Sequence, residues 1–509
     1  MTSTFTGGDV AGTHRVRRTA STTELKDDAG ALLAAGFRLA LVAAHDDGPH
    51  LRVVYLFLAG APERRVELEV LVPSGDPRLP SLADQSFPAG RFEREMADLF
   101  DISPTGHPAP RRLVRHAHWP EHWHPMRRDA GTVGEFTESD GYPFVTVEGP
   151  GVYEIPVGPV HAGIIEPGHF RFSVVGETII KLKARLWFVH RGIEKLFEGR
   201  PAMAGVALAE RISGDSAAAH ALAHTLAVED ALGITVPDHV HRLRCLLVEL
   251  ERLYNHAADL GALANDVGFG LANAHAQRIR EELLRTNDAV TGHRLLRDGI
   301  HPGGVRLRTL PGVSGLRYIG DDLADIADLT LGNSIVRDRF TGTAILDRAD
   351  ASNLGCLGYV ARASGLTTDA RIDHPATSLP VRSIVATQGD VLARYTLRRD
   401  EFAASVDLAC HLIDHTDGPL ASTLEPPHSR STTGRPISVR SGVGIVEGWR
   451  GTIVHRVEID ADGRISRAKV VDPSWFNWPA LPVALADTIV PDFPLVNKSF
   501  NLSYAGNDL

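Results

Sequence analysis

Between residues 186 and about 412, apolar side chains recur at intervals of three and four, whereas on either side they alternate with polar ones. The first rhythm belongs to helices with one buried stripe, the second to half-buried strands. The clearest helix lies in 240–263. There Leu243, Leu246, Leu247, Leu250, Leu253 and Tyr254 share a face, and Glu249, Arg252, Asn255 and Asp259 fall elsewhere. Upstream, 37–43, 51–59 and 66–72 read as strands, with helices expected near 79–83 and 91–100. Alternation returns in 153–156, 171–183 and 442–472, and a Pro- and aromatic-rich tail covers 473–509. Residues 1–20, rich in Thr, Gly and Arg, are expected to be disordered. The Gly-, Thr- and Glu-rich stretch 131–150 reads as a linker. The fold class expected is α+β: an α/β module over 21–130, then a mainly helical domain over 151–509 with small antiparallel β segments.

Composition narrows this further. A chain of 509 residues is too long for one compact core, and 43% hydrophobic with 23% charged residues is the balance of a globular protein. A net charge of −10 with no long basic run excludes a nucleic-acid partner. Cys245, Cys356 and Cys410 are widely spaced, so they make no iron–sulfur or zinc site by themselves and suit a reducing cytoplasm. Cys245, in an apolar helical stretch, reads as a buried structural thiol. No apolar run reaches the roughly 18–20 residues of a membrane span. The start also lacks the apolar stretch of a signal peptide. Membrane association is therefore expected to run through partner subunits.

Several groups of residues carry candidate chemistry. If a helix starts near Asp215, Ser216 and His220 lie four apart on one face, beside Arg211 and Ser213. Asp215 and His220 alone are too few for a typical metal site. Arg362, Asp369, Arg371, Asp373 and His374 form a dense charge cluster, which suits an active-site rim and an ion-pair network equally. His116, His118, His122 and His124 interleave with Trp119 and Trp123, a pattern that favours packing or an interface over a metal. Gly442-Val443-Gly444 carries Glu447 where a dinucleotide fingerprint needs its third glycine, so no Rossmann site is expected.

Ordered blocks across roughly nine tenths of the chain carry a family resemblance. The segment 158–200, GPVHAGIIEPGHFRFSVVGETIIKLKARLWFVHRGIEKLFEGR, resembles the start of large subunits of group 4 energy-converting [NiFe] hydrogenases of the formate-hydrogenlyase and hydrogenase-4 type. It is similar too to the 49 kDa-type subunit of complex I. The match continues through Leu250 to His256, Arg362 to Gly365, Asp373-His374-Pro375 and Gly442 to Gly451. Phe92 to Ile102, followed by Gly106-His107-Pro108, Arg111-Arg112-Leu113 and Pro125 to Asp129, resembles the 30 kDa-type subunit that docks on it. The resemblance thus makes 21–130 a docking domain and 151–509 a hydrogenase-large-subunit-like one.

The hydrogenase motifs R-x-C-G-x-C-x-x-x-H and D-P-C-x-x-C fall on Arg211–His220 and on 501–506, with Ser213, Ser216, Ser503 and Gly506 at the four cysteine positions. Nickel is held by soft thiolates, so the resemblance implies that the metal site is lost and no metal is bound. Glu194 falls where hydrogenases relay protons. The alternative, favoured without a metal, is that it pairs with Lys195 or an arginine and holds a helix end. Arg211, His220, Asp373 and His374 are further relay or pocket candidates. Of the quinone-holding positions of complex I, the first histidine is His161, the second falls on Ile165, and the tyrosine position is Ala202. The family implies no cofactor in this chain, a [4Fe-4S] cluster in a small iron–sulfur partner subunit, antiporter-like membrane-embedded subunits, and a quinone or another redox carrier as substrate. The place expected is peripheral, on the cytoplasmic face of the cell membrane. Because the chain ends three residues past Gly506, no C-terminal cleavage is expected. Two functions stay open: a subunit of an oxidoreductase that couples electron transfer to ion translocation, or a non-catalytic scaffold of such a complex.

Overall fold

The computed structural model describes residues 9–10, 15–138, 141–162, 165–424 and 439–509. The α/β module is a five-stranded sheet, ordered Asp9–Val10, Arg15–Thr19, Arg64–Pro73, His50–Ala59, Arg38–Asp46. Arg15–Thr19 runs parallel to Arg64–Pro73, and the other pairs are antiparallel. The three expected strands are thus present, the first starting one residue later and ending three later, the second starting one earlier, and the third starting two earlier and ending one later. Helix Leu25–Ala34 buries Leu25, Ala29 and Leu32, and helix Phe87–Phe100 packs beside the Arg38–Asp46 strand.

Two expectations fail here. Of the segment 1–20, Asp9–Val10 and Arg15–Thr19 are strands; residues 1–8 and 11–14 lie outside the described residues. Arg15 is fully buried, so its carboxylate partners rather than apolar side chains hold that strand in place. The helix expected near 79–83 is a short strand, Arg78–Pro80, paired in parallel with Ser103–Thr105. Prolines at 77 and 80 remove the donors an α-turn needs there.

The second module opens with an antiparallel sheet of Val152–Val157, His169–Val175 and Thr178–Arg185. Helices Ala217–Leu232, Asp238–Asp266, Gly270–Thr291, Val313–Gly332 and Val391–Asp414 form its body. Asp238–Asp266 packs against Gly270–Thr291 and Val391–Asp414, and its polar side is as buried as its apolar one: Glu249, Arg252, Asn255 and Asp259 are all interior. A third sheet, Arg440–Gly448, Gly451–Ile459 and Ile465–Val471, lies against Ala217–Leu232. Gly442 and Gly444 allow that contact, because a Cβ on either would lie about 2 Å from the carbonyl oxygen of Ala227 or Ala223. The tail 473–509 is no loose end, since helices Pro473–Asn477, Ala480–Ala484, Phe493–Phe500 and Tyr504–Asp508 fold back into the core. Among the described residues of 131–150 there is no helix or strand.

The two modules meet through buried charge. The Glu67 carboxylate lies 3.3 Å from Arg15 and 2.9 Å from Arg456, and Glu458 lies 2.9 Å from both Arg456 and Arg52. Burial alone would raise Glu67 and Glu458, but the guanidiniums outweigh it for Glu67, and His45 with Arg456 and Arg52 does so for Glu458. Both are held below the ordinary carboxylate value. Removing one member strands the others in a low dielectric, a loss of about 3–5 kcal/mol. Arg456→Met should therefore lower unfolding stability by about that amount in urea at pH 7. Because the folded carboxylates have depressed values, the wild-type contribution is present above the ordinary glutamate range and fades as pH falls through the folded values. The deficit of the variant should narrow in the same direction; a deficit that is constant down to the acid transition would contradict this reading.

Candidate functional site

The two motif segments meet, although 290 residues separate them. Ser213 precedes helix Ala217–Leu232, and Ser503 caps helix Tyr504–Asp508 by accepting from the Gly506 amide at 2.8 Å. Their hydroxyl oxygens are 2.8 Å apart. The Ser213 hydroxyl lies 2.9 Å from Asp215 Oδ1 and can donate only once, so Ser503 donates to Ser213 and Ser213 to Asp215. Asp215 ends this line in a two-pronged pair with Arg450, at 2.6 and 2.7 Å. Burial would raise Asp215, but Arg450 overrides it and keeps it below the ordinary aspartate value. The Asp215 backbone carbonyl accepts from Trp449 Nε1 and Asn255 Nδ2, and Arg450 Nε donates to the Asn501 carbonyl.

Asp472 occupies the space next to Gly506. A Cβ on Gly506 would stand 2.6 Å from the Asp472 carboxyl carbon. Asp472 also takes His220 Nε2 at 3.1 Å and the Ser474 amide at 2.7 Å, while His220 Nδ1 is 3.0 Å from His455 Nε2. Asp472 can only accept, so His220 Nε2–H donates to it, and the Nδ1 of that tautomer faces His455 Nε2. Ser216 is buried at the helix start, 3.5 Å from Asp215 Oδ1. Three open cavities of 510, 560 and 500 Å³ lie elsewhere, and none is lined by Ser213, Ser216, Ser503 or Gly506. A nickel–iron centre does not fit these residues: the hydroxyls are spent on one another and on Asp215, and a carboxylate stands against Gly506. Among the described residues no group of three or more His, Cys, Asp or Glu is placed to hold a metal.

The other candidates disperse. Arg211 is half exposed and turned towards Glu210 and the preceding helical turn, away from the serines. Glu194 is buried and pairs with Arg467 at 2.8 Å and Lys469 at 3.0 Å while accepting the Val470 amide; Lys195 pairs with Glu198 instead. Burial would raise Glu194, but Lys469 and Arg467 outweigh it and hold the carboxyl well below the ordinary glutamate value, as in a buried ion pair. Asp373 and His374 face the α/β module: His374 Nδ1 is 2.9 Å from Glu63, and a Cβ on Gly60 would collide with Asp373. Arg362 pairs with Glu401 and Glu447, and Arg371 with Asp369 and Glu249, so this cluster has the geometry of an ion-pair network tying helices to the third sheet.

His161 bonds to the Gly168 carbonyl and lies by Phe170, Ile165 is exposed, and Ala202 packs with Phe197 and Ile465 in a separate apolar cluster. Of the four histidines His116, His118, His122 and His124, two are held inward, His116 bonding to the Trp187 carbonyl and His124 to that of Asp98; His118 lies by Phe136 but is exposed, as is His122. Sequence reading missed Asp472, His455 and Arg450 as site residues. The run Asp472-Pro473-Ser474, an N-cap before proline at a helix start, was the one local signal for Asp472.

Set against known proteins, this architecture is that of the large subunits shared by hydrogenases and complex I. The family model for the respiratory-chain NADH dehydrogenase 30 Kd subunit matches residues 18–135, that for the 49 Kd subunit 266–508, and that for nickel-dependent hydrogenase 191–263. Hydrogenase-4 component G of Escherichia coli is 32% identical over 90% of this chain and 81% of its own length, and formate hydrogenlyase subunit 5 of the same organism 30% over 87% and 79%. The NADH-quinone oxidoreductase C/D subunit of Bacteroides thetaiotaomicron is 31% identical over 76% and 79%. A chain in the structure of the membrane-bound sulfane sulfur reductase, an archaeal respiratory membrane complex, superposes with a TM-score of 0.63 at 26% identity, covering 70% of this chain and 98% of that one. The chain belongs to the family of fused 30 kDa- and 49 kDa-type large subunits of complex I-like and hydrogenase-4-like enzymes.

Lys469 sits between Glu194 and Glu95, which comes from the α/β module, at 3.0 and 2.7 Å. Burial, with the charge of Glu194, raises Glu95 above its ordinary value even though Lys469 opposes it. The two carboxylates are therefore unequal. Glu194→Gln should cost about 3–5 kcal/mol by stranding Arg467, whose other bonds go to the carbonyls of Ala44 and Ala468, and Glu95→Gln clearly less, measured by urea unfolding at pH 7. Equal losses would refute the assignment of the charge to Glu194.

Proposed function

We propose that this chain is the peripheral large subunit of a membrane-bound oxidoreductase related to complex I and to hydrogenase-4, and that it works without a nickel–iron centre. The observation that carries the second half is the closed line from Ser503 through Ser213 to Asp215 and Arg450, with Asp472 standing against Gly506. The first half rests on the family and on relatives that are named as components of hydrogenase and quinone-oxidoreductase complexes. In this reading the [4Fe-4S] cluster belongs to a small iron–sulfur subunit docked near the converted motif, with antiporter-like membrane subunits beyond. No helix among the described residues is long and apolar enough to cross a membrane, so attachment to the cytoplasmic face would run through those partners. The filled motif supports a second reading as well: a scaffold that passes conformational change between partners without itself touching a redox carrier.

Purified with the partners that accompany it, the chain should carry no stoichiometric nickel and evolve no hydrogen, as read by elemental analysis and a hydrogen electrode. Mild-detergent extraction of native membranes followed by mass spectrometry should recover a small iron–sulfur protein and membrane subunits with it. Nickel at one atom per chain would overturn the loss of the centre; recovery only as a partner-free monomer would overturn the assignment as a subunit.

A further inference from the structure

The cavity of 510 Å³ between the modules is unlike the others in its charge. It is walled by helix Phe87–Phe100, the Thr178–Arg185 strand, Tyr142 and Phe144 of the linker, and Trp478 to Pro482. Six Lys or Arg residues line it and no Asp or Glu does, in a chain whose net charge is −10. The other large cavities mix signs: the one beside His374 has Glu63, Glu229 and Asp230 with Arg65. Among the described residues, Lys183 alone of the six pairs with a carboxylate, Glu154. Arg91 and Arg185 are buried and give their hydrogen bonds to the carbonyls of Trp475, Leu113 and Arg115, with Arg91 also reaching the Asn507 side chain. Arg94 binds the carbonyls of Arg111 and Arg112. Arg111 and Lys181 stand exposed at the mouth, without a carboxylate partner among the described residues.

Neutral carbonyls take most of the donors of these guanidiniums, with Arg185 Nε left without a partner among the described residues, and they do not cancel the charge; cation–π contacts of Arg185 and Arg111 with Tyr142 offset only part of it. None of the carboxylates that act on these cations lines the cavity: Asp98 accepts three backbone amides, Asp508 the Val189 amide, and Glu95 faces Lys469, so their charge offsets only part of that of Arg91 and Arg185. Burial, with the neighbouring Arg94, outweighs the pull of Glu95 and Asp508 and pushes Arg91 down to about 9. We propose that this cavity is a binding site for a phosphate-bearing ligand, whose phosphate group meets Arg94, Arg111 and Lys181 at the mouth and whose body lies against Phe87, Leu182 and Trp478. A single carboxylate would cancel one of the uncompensated charges, whereas a phosphate monoester or diphosphate brings two or more and suits the planar guanidinium fork. The volume falls within the range of small-ligand sites, roughly 300–1,000 Å³, and exceeds what a bare anion fills.

The same chemistry is offered by a soluble nucleotide and by a phospholipid headgroup, and the two are separable. Calorimetric titration of the full chain, with the partners that co-purify, would use pyrophosphate and ATP in one arm and, in the other, vesicles of phosphatidic acid, whose headgroup is a phosphate monoester. Saturable binding in either arm is expected, weakened at least about tenfold in Arg111→Glu and in Lys181→Glu. These residues are exposed, so the variants should keep the wild-type urea midpoint. Binding of pyrophosphate or ATP would identify a soluble ligand, and binding of vesicles alone a lipid. Absence of saturable binding in both arms, or equal affinity in the variants, would overturn the proposal.

Discussion

The paired contact of Asp215 with Arg450 holds the centre of this protein. It joins the loop before helix Ala217–Leu232 to the turn between the strands Arg440–Gly448 and Gly451–Ile459, and Arg450 reaches on to Asn501. Three segments distant in sequence are thereby set around one carboxylate. Each hydrogen bond in the group has an assigned direction, because the anion at one end fixes which hydroxyl donates to which. Without that anion, Ser213 and Ser503 would have no preferred order. In an interior where an unsatisfied polar group costs roughly 1–3 kcal/mol, such ambiguity would be expensive.

The same logic extends outward. Helix Asp238–Asp266 is buried all round and lines its polar side with Glu249, Arg252 and Asp259, each matched by a charge on a neighbouring helix or, for Arg252, by the Glu447 and Gly448 carbonyls. Between the modules the matching is denser still, with Glu67 held by the guanidiniums of Arg15, Arg17 and Arg456 and Glu458 by those of Arg52 and Arg456. Buried pairs of this kind add little net stability over an apolar contact, but they reject every arrangement that leaves a charge alone. Specificity of assembly, more than strength, is what they supply.

Much of this was legible in the sequence. The three strands within 37–72, the alternation of 171–183 and 442–472, and the helix in 240–263 all follow from apolar periodicity, since burial on one side leaves a regular trace. The juxtaposition of Ser213 with Ser503 followed from the family resemblance and not from any local pattern. What escaped were features in which charge replaces apolar burial. Arg15 in its strand looks like a polar tail, and Glu249 and Arg252 look like a solvated face, because periodicity assumes that charged residues are outside. Asp472 and His455 escaped for a different reason: their meaning depends on His220, more than 230 positions away.

The described residues of the stretch 131–150 form no helix or strand, yet its chain turns an encounter between two molecules into a motion within one. A tether of about 20 residues sets an effective concentration in the millimolar range. An interface built from desolvated ions would need high intrinsic affinity to persist between separate chains at cellular levels. Held on a tether, the same surface has only to outcompete its own solvation, and its charges are free to be selected for register over tightness.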